Sequence, residues 1–415
     1  MPPVDRASTS FGPSHMGTRR SRLACPGRAD IWLLTALLVP LASGCHTPPS
    51  RGTQLAAVSR TTPAPASRTP EAVSAADLSR GIRAAPWGGI DRAAPATPKP
   101  LATPEMIQPE WVALSAWAHA ADVTPPIKLD GAVPAWAIHG PNGPLQLLAG
   151  TRQARFDDMD LWLGYPPRPF QDEILVYRLD LEKNLRPLMT RHYPPPPGSR
   201  RIVLDPGHGG RSNGTVSVLD QQPEKEFALD WALRLAPLLA AAGWEVFLTR
   251  TNDIDLTIAE RVAMTDAVRP DLFLSLHFNS AAPDLTQSGV ETYCLTPAGL
   301  PSTLTRNYSD DPLLVLPNNA HDEANLQYAA RLHRALLRGT GAADRGIRRA
   351  RFMAVLLAQN CPAVLIEGGF LSHPREAARI ATPGYRQLLA ECVAAALNDP
   401  APRPRGPVRA GVASP

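Results

Sequence analysis

The sequence is poor in cysteine and holds no paired cysteine motif. Its five cysteines, Cys25, Cys45, Cys294, Cys361 and Cys392, form no C-x-x-C, which excludes a zinc ribbon, a thioredoxin-type redox centre and a dense disulfide scaffold. Cys294 and Cys361 sit in apolar runs and read as small buried hydrophobes, with a disulfide permitted but not required. No basic stripe with interleaved aromatics occurs. The 42 Lys and Arg stand against 38 acids, and much of the excess sits in terminal segments such as Arg403, Arg405 and Arg409. No nucleic acid partner is expected. The longest apolar run, within "DIWLLTALLVPLASGC", has about a dozen apolar residues, too few to cross a bilayer. What is abundant is proline: 46 residues, about twice the usual share, so part of the chain is not globular.

An arginine-rich lead, a short apolar run and closing small residues are the layout of a secretory signal, assigned to residues 1–45. Met16 makes a better start than Met1, because "MGTRRSRLACPGRAD" is a compact basic lead. "LASGC" resembles the lipobox of bacterial lipoproteins. That resemblance implies an exported, periplasmic or envelope protein held to a membrane through lipidated Cys45. With His46 rather than aspartate next, it implies the outer membrane in a two-membrane bacterium.

Residues 46–109, rich in Ala, Pro, Ser and Thr, bury too little apolar surface to offset ordering entropy and should form a disordered tether. A short helix over residues 75–82 is weakly signalled. Residues 110–193 carry Trp111, Trp117, Trp136 and Trp162 and short apolar runs between turn residues, a small β-rich module. The module is faintly similar to a stalk module related to the N-terminal domain of copper amine oxidases. A polyproline linker, 194–200, separates it from the catalytic domain, 201–397, and residues 398–415 form a disordered tail.

Strands and helices alternate from Arg201 onward. "RIVLD", "WEVFLTR", "DLFLSLHFN", "GVETYCL" and "PAVLIEGGF" read as strands. Phe227, Trp231, Leu235, Leu238 and Ala242 lie on one helical face, with Pro237 expected to kink or shift that helix and Gly243 to stop it. Further helices are expected over 257–267, 323–338 and 384–395. The fold class is α/β: a central, largely buried sheet flanked by helices, preceded by the β-rich module and the tether.

Chemistry gathers beyond the carboxyl ends of such strands. His208 follows "IVLD" in a Pro/Gly turn, His277 closes "LFLSLH" and Glu367 closes "PAVLIE". Glu224 opens the helix after the His208 turn, where the helix dipole favours a carboxylate. On spacing alone, Glu226 serves as well. Two imidazoles and one carboxylate around an open position make a catalytic Zn2+ site, and a second carboxylate can take the proton of the attacking water. Glu367, between five apolar residues and two glycines, is expensive to bury without a task.

Six stretches in order, "IVLDPGHGG", "EKEFAL", "GWEVFLTR", "DLFLSLHFNSA", "GVETYCL" and "PAVLIEGGFLSH", resemble the zinc-dependent N-acetylmuramoyl-L-alanine amidases (amidase type 3). The resemblance implies that His208, Glu224 and His277 bind zinc and that Glu367 is the general base. It further implies peptidoglycan as substrate, with hydrolysis of the amide joining N-acetylmuramic acid to L-alanine in wall remodelling or daughter-cell separation. The chain departs from the family pattern in "GGRSNGTVSVLDQQP", at Gly368 and at His373. The zinc set alone also fits a peptidase or deacetylase acting on another wall bond, and a wall-binding lipoprotein without activity is the remaining alternative. Prolines 297, 301, 312 and 317 forbid a long helix over residues 296–323, where some family members carry a helical plug. That segment should be a loop walling the groove, and an activator protein is an open question. His321 and His333 match no motif and read as surface residues.

Overall fold

The structure, a computed structural model, describes residues 110–189, 198–304 and 310–399, and the backbone of residues 82–84. The signal with Cys45, the rest of the tether, residues 190–197 of the proline break and the chain beyond 399 lie outside the described residues.

The first described strand, β1 (Ile82–Ala84), runs parallel to a strand of the catalytic domain, Ile82 opposite Val246. The weak helical signal over residues 75–82 is overruled at Ile82, because backbone pairing along a sheet outweighs local propensity. The module follows with β2 (Trp111–Ala113), α1 (Leu114–Ala120) and an antiparallel meander. The meander's strands are β3 (Ile127–Leu129), β4 (Ala135–Gly140), β5 (Gly143–Leu148), β6 (Gln153–Phe156) and β7 (Met159–Trp162). Asp157 and Asp158, both at positive φ, make the two-residue turn between β6 and β7. β8 (Arg168–Phe170) and β9 (Glu173–Tyr177) join β2 in a small second sheet. A helical stretch then runs from α2 (Arg178–Asp180) through a π-helical turn, Leu181–Leu185, into α3 (Arg186–Met189).

The catalytic domain contributes β10 (Arg201–Pro206), α4 (Glu224–Ala241), β11 (Glu245–Leu248), α5 (Ile258–Val268), β12 (Leu272–Asn279), β13 (Val290–Cys294), α6 (Asp322–Thr340), β14 (Asp344–Arg349), α7 (Ala354–Leu357), β15 (Ala363–Phe370), α8 (Pro374–Ala381) and α9 (Pro383–Asn398). The expected strands and helices are found within a few residues of their expected ends. α4 continues through Pro237 without a break in its assignment. Thr257 closes a capping box with Glu260 ahead of α5.

The strand order is β1-β11-β10-β12-β15-β13-β14-β7-β6-β5-β4-β3, so module and catalytic domain share one sheet. β10, β11, β12 and β15 are parallel, and β13 is antiparallel to β15. The joint is β14 against β7, Ile347 opposite Leu161. Side chains bind across it: Arg334 pairs with Asp157 at 3.0 Å, and Arg349, 1% exposed, donates to Asn184 Oδ1 and to the Lys183 carbonyl.

Alternation along each strand splits the core in two. Ile202, Leu204, Leu274, Leu276, Val364 and Ile366 pack with Trp231, Leu332 and Leu389 from the long helices α4, α6 and α9. Val203, Phe273, Ala363 and Leu365 face the other way, into a smaller cluster with Val268, Val355 and Leu356. Among the described residues, the helical cover there comes from α5 and the single-turn α7. Asp205, Ser275, His277 and Glu367 have the same parity as this second set.

Candidate metal centre

β10 ends in Asp205-Pro206, and the chain turns at Gly207 and His208, the histidine itself in the left-handed region at φ 60°. Two buried arginines hold the turn by its carbonyls. Arg250 donates Nε to Pro206 O (3.0 Å) and an Nη to Gly207 O (2.7 Å). Arg261 donates to Pro206 O (3.1 Å) and His208 O (2.6 Å) and pairs with Asp205. Asp205 also accepts from Thr249 and Ser275, each at 2.7 Å. Burial and the neighbouring Arg261 push the Arg250 guanidinium down to about 10. Sequence reasoning missed this clamp. The signal was nonetheless present in Asp205 and Arg250, each a charge closing an apolar strand and costly to bury alone.

The three metal candidates converge. Glu224, 3% exposed at the start of α4, lies between the imidazoles: its Oε1 is 2.8 Å from His277 Nδ1 and its Oε2 is 3.1 Å from His208 Nε2. The same oxygens accept the backbone N–H groups of Phe278 and Thr215, both at 3.0 Å. Glu226 is exposed and bonded to Gln222, so the choice left open by spacing falls to Glu224. Burial opposes ionisation of Glu224, but hydrogen bonds from His208 and His277 overcome it and hold the carboxyl well below its ordinary range. Burial likewise opposes protonation of His277, and Glu224, with a smaller push from Glu367, raises its imidazole above the ordinary value. The second nitrogen of His208, Nδ1, lies 2.9 Å from Ser212 Oγ, which fixes the ring's orientation.

The glycines around His208 prove to serve the site from within. A Cβ on Gly207 would stand 2.3 Å from the His277 ring, and one on Gly214 would stand 2.4 Å from Glu224 Oε2 and 2.6 Å from His208. Gly207 and Gly214 let the two imidazoles and the carboxylate pack against one another.

One donor atom from each of His208, Glu224 and His277 can be chosen so that all lie within 4.8 Å of one another. Two imidazole nitrogens and a carboxylate oxygen form the donor chemistry of a three-ligand zinc site. The residues therefore fit a metal ion. Glu367, 7% exposed, is the register partner of His277 on the neighbouring strand, one strand spacing away. A cavity of about 380 Å3 opens beside His208 and His277, walled by Leu256, Ile258, Phe352, Met353 and Val355.

Among its described residues, the 296–323 segment holds one 3-10 turn, Pro317–His321, and the first two residues of α6. None of its described residues lines the cavity. Arg351 instead ties it down through Asp310 (2.8 Å), Pro297 O (2.8 Å) and Leu300 O (2.9 Å), next to the Phe352-Met353 wall. His333 is not at the surface: it is wholly buried, 2.9 Å from both Thr292 Oγ1 and Asp344 Oδ1. Its place on the inner face of α6 overrides what an isolated histidine suggests. Cys294, Cys361 and Cys392 are buried free thiols.

Two imidazoles and a carboxylate gathered at one end of a parallel sheet, beside a cavity, fit a metal-dependent hydrolase built on an open α/β sheet. The family described as N-acetylmuramoyl-L-alanine amidase matches residues 202–399. N-acetylmuramoyl-L-alanine amidase AmiC of Escherichia coli O6:H1 is 30% identical over 289 residues, covering 61% of this chain and 67% of that protein. AmiC of Neisseria meningitidis serogroup B is 28% identical over 237 residues, covering 51% and 56%. A solved N-acetylmuramoyl-L-alanine amidase from Clostridium difficile 630, 28% identical, covers 48% of this chain and 94% of its own, with a TM-score of 0.40. The chain belongs to the N-acetylmuramoyl-L-alanine amidase family, as the six motifs lead one to expect.

Proposed function

We propose that the chain hydrolyses the amide between N-acetylmuramic acid and L-alanine in peptidoglycan, with Zn2+ held by His208, Glu224 and His277 and Glu367 as general base. The convergence of the three ligands beside an open cavity carries this reading. When bound, zinc supplies an acidified water and polarises the amide carbonyl. Glu224 stays ionised between the two imidazoles, and Ser212 and the arginine clamp keep His208 aimed. Glu367 takes the water's proton and returns it to the departing L-alanine nitrogen. The apolar wall of Leu256, Ile258, Phe352 and Met353 suits the methyl groups that flank the scissile bond. Because Arg351 holds the 296–323 segment through Asp310, Pro297 and Leu300 and none of its described residues lines the cavity, activity without an added activator is expected.

The test is digestion of intact sacculi with wild type and Glu367→Gln in parallel. Stem peptides bearing an L-alanine amino terminus should appear with the wild type alone. Newly freed glucosamine amines, or cleavage inside the stem, would replace this reading with a deacetylase or a peptidase. We further propose that lipidated Cys45 holds the enzyme at the periplasmic face of the outer membrane. The Cys45→Ala protein should then leave the membrane fraction with its activity intact. Among the described residues no helix is long and apolar enough to cross a membrane.

A further inference from the structure

The centre does not end at Glu367. On the far side of β15 the residue paired with Glu367 is Glu291 of β13. Paired positions on adjacent strands place their side chains on the same face, about 5 Å apart at Cβ. His277, Glu367 and Glu291 thus form a row across three strands. Glu291 is 2% exposed, and like charges directly opposite on a sheet repel. The row stands because Glu291 is neutralised from the other side. Arg348 Nε lies 3.0 Å and Arg345 Nε 3.8 Å from its Oε1. Its Oε2 accepts from Asn279 Nδ2 (3.0 Å), at the end of the strand that carries His277, and from Tyr293 (2.8 Å).

Both arginines meet one side chain of the N-terminal module. The Arg348 guanidinium stacks 3.9 Å above the Trp162 ring, and the Trp162 indole N–H donates to the Arg345 carbonyl at 3.3 Å. Gly346 lies between them in sequence, and a Cβ there would come within 2.8 Å of that indole nitrogen. Trp162 is thus seated on the backbone between the two arginines. A cation stacked on an indole face is held in both place and orientation.

We propose that Glu291 is a positioning residue for Glu367, its charge bound away by Arg348, and that Trp162 of the module fixes Arg348 for this purpose. The proposal rests on the reading of Glu367 as the base. It gives residues 110–189 a part in the reaction centre. With Arg348 in place, the Glu291 charge is engaged with a cation and the Asn279 amide and no longer opposes that of Glu367. With Arg348 lost, two buried carboxylates face each other.

The test uses the full chain, with kcat and KM on soluble muropeptide, zinc content and Tm measured for every variant. Arg348→Met should lower kcat about tenfold while leaving zinc content and KM near wild type. Adding Glu291→Gln should recover at least about threefold of the loss, because the double variant removes the opposing charge. Trp162→Ala should lower kcat in the same direction by a smaller factor, with Trp162→Phe and Arg348→Lys staying within about threefold of wild type. If Arg348→Met and the double variant are equally impaired, or Arg348→Met lowers zinc content in step with kcat, the proposal is overturned. Glu367→Gln is run alongside: if it keeps its activity, the base assignment fails first and the row loses its purpose. If it is inactive while the double variant shows no recovery, only the role of Glu291 falls.

Discussion

Among the described residues, His333 and His277 each lie against a carboxylate on opposite faces of the central sheet, and only His277 belongs to a candidate centre. On the face covered by α4, α6 and α9, His333 and Asp344 lie 2.9 Å apart with Thr292 on the other ring nitrogen, and the imidazole is wholly buried. On the face covered by α5 and α7, His277 and Glu224 lie 2.8 Å apart, a second imidazole completes the set, and space opens beside them. A buried imidazole on a carboxylate therefore does not mark function. What marks it is short helical cover, a third donor and glycines that admit all three.

The largest effect should follow removal of a donor on the thin face. His277→Ala should lose stoichiometric zinc, measured on dialysed protein by atomic emission, and its activity should fall below detection, because two ligands and water hold zinc poorly. His333→Ala should keep a full zinc equivalent. If both variants retain zinc, the contrast between the faces is false.

Next is the base. Glu367→Gln should keep its zinc and its Tm while kcat falls by at least about a hundredfold, the scale of a general base. Activity within a few fold of wild type would make Glu367 structural and bring the two faces closer in kind.

Stability should reverse the ranking. His333→Ala takes the imidazole from Asp344 and Thr292, leaving Asp344 only the N–H groups of Asp160 and Gly346, and opens a void on the packed face, at a cost of about 2 kcal/mol. Urea unfolding of the zinc-loaded enzyme should show that loss, with kcat per folded molecule unchanged. A kcat loss that exceeds the folding loss would give His333 a task.

The smallest effect concerns pH in the metal-free protein. Glu224 titrates below its ordinary 4.5, so its contribution to stability is present above that value and is lost as pH falls through the folded one. His277 titrates above its ordinary 6.5, so its contribution is present below that value and is lost as pH rises through the folded one. The Tm of the metal-free protein should therefore fall by a few degrees from about pH 6 to about pH 8.5. The extra stability conferred by zinc should grow over the same range, since binding needs an unprotonated imidazole. A metal-free Tm that rises over that interval would contradict the His277 shift.

Much of the catalytic half was legible in the sequence. Apolar runs of β10, β12 and β15 announced buried parallel strands, and a charge at the end of each announced the centre. Glu224 could be told from Glu226 only by motif order, because helix position alone favours both and burial separates them. His333 was misread because its partners, Thr292 and Asp344, lie 41 and 11 residues away and nothing local marks them. The strand β14, "DRGIRR", went unseen for a related reason. Its charged residues look solvated, yet Asp344, Arg348 and Arg349 are each engaged by distant groups that a linear reading does not bring together.

The joint between β14 and β7 also decides how the enzyme can be cut. A chain shortened to begin at Gly198 would expose the outer rim of β14, a row of unmet N–H and C=O groups next to Arg349, whose partners Asn184 and the Lys183 carbonyl would be gone. Bare rims of this kind template pairing between molecules. The catalytic half alone should accumulate as insoluble protein when expressed, and a chain that keeps both β1 and the module, covering the rims of β11 and β14, should stay in solution. On that expectation the module shields the rim of β14 from self-association, and trimming to residues 198–399 would be the wrong route to soluble material.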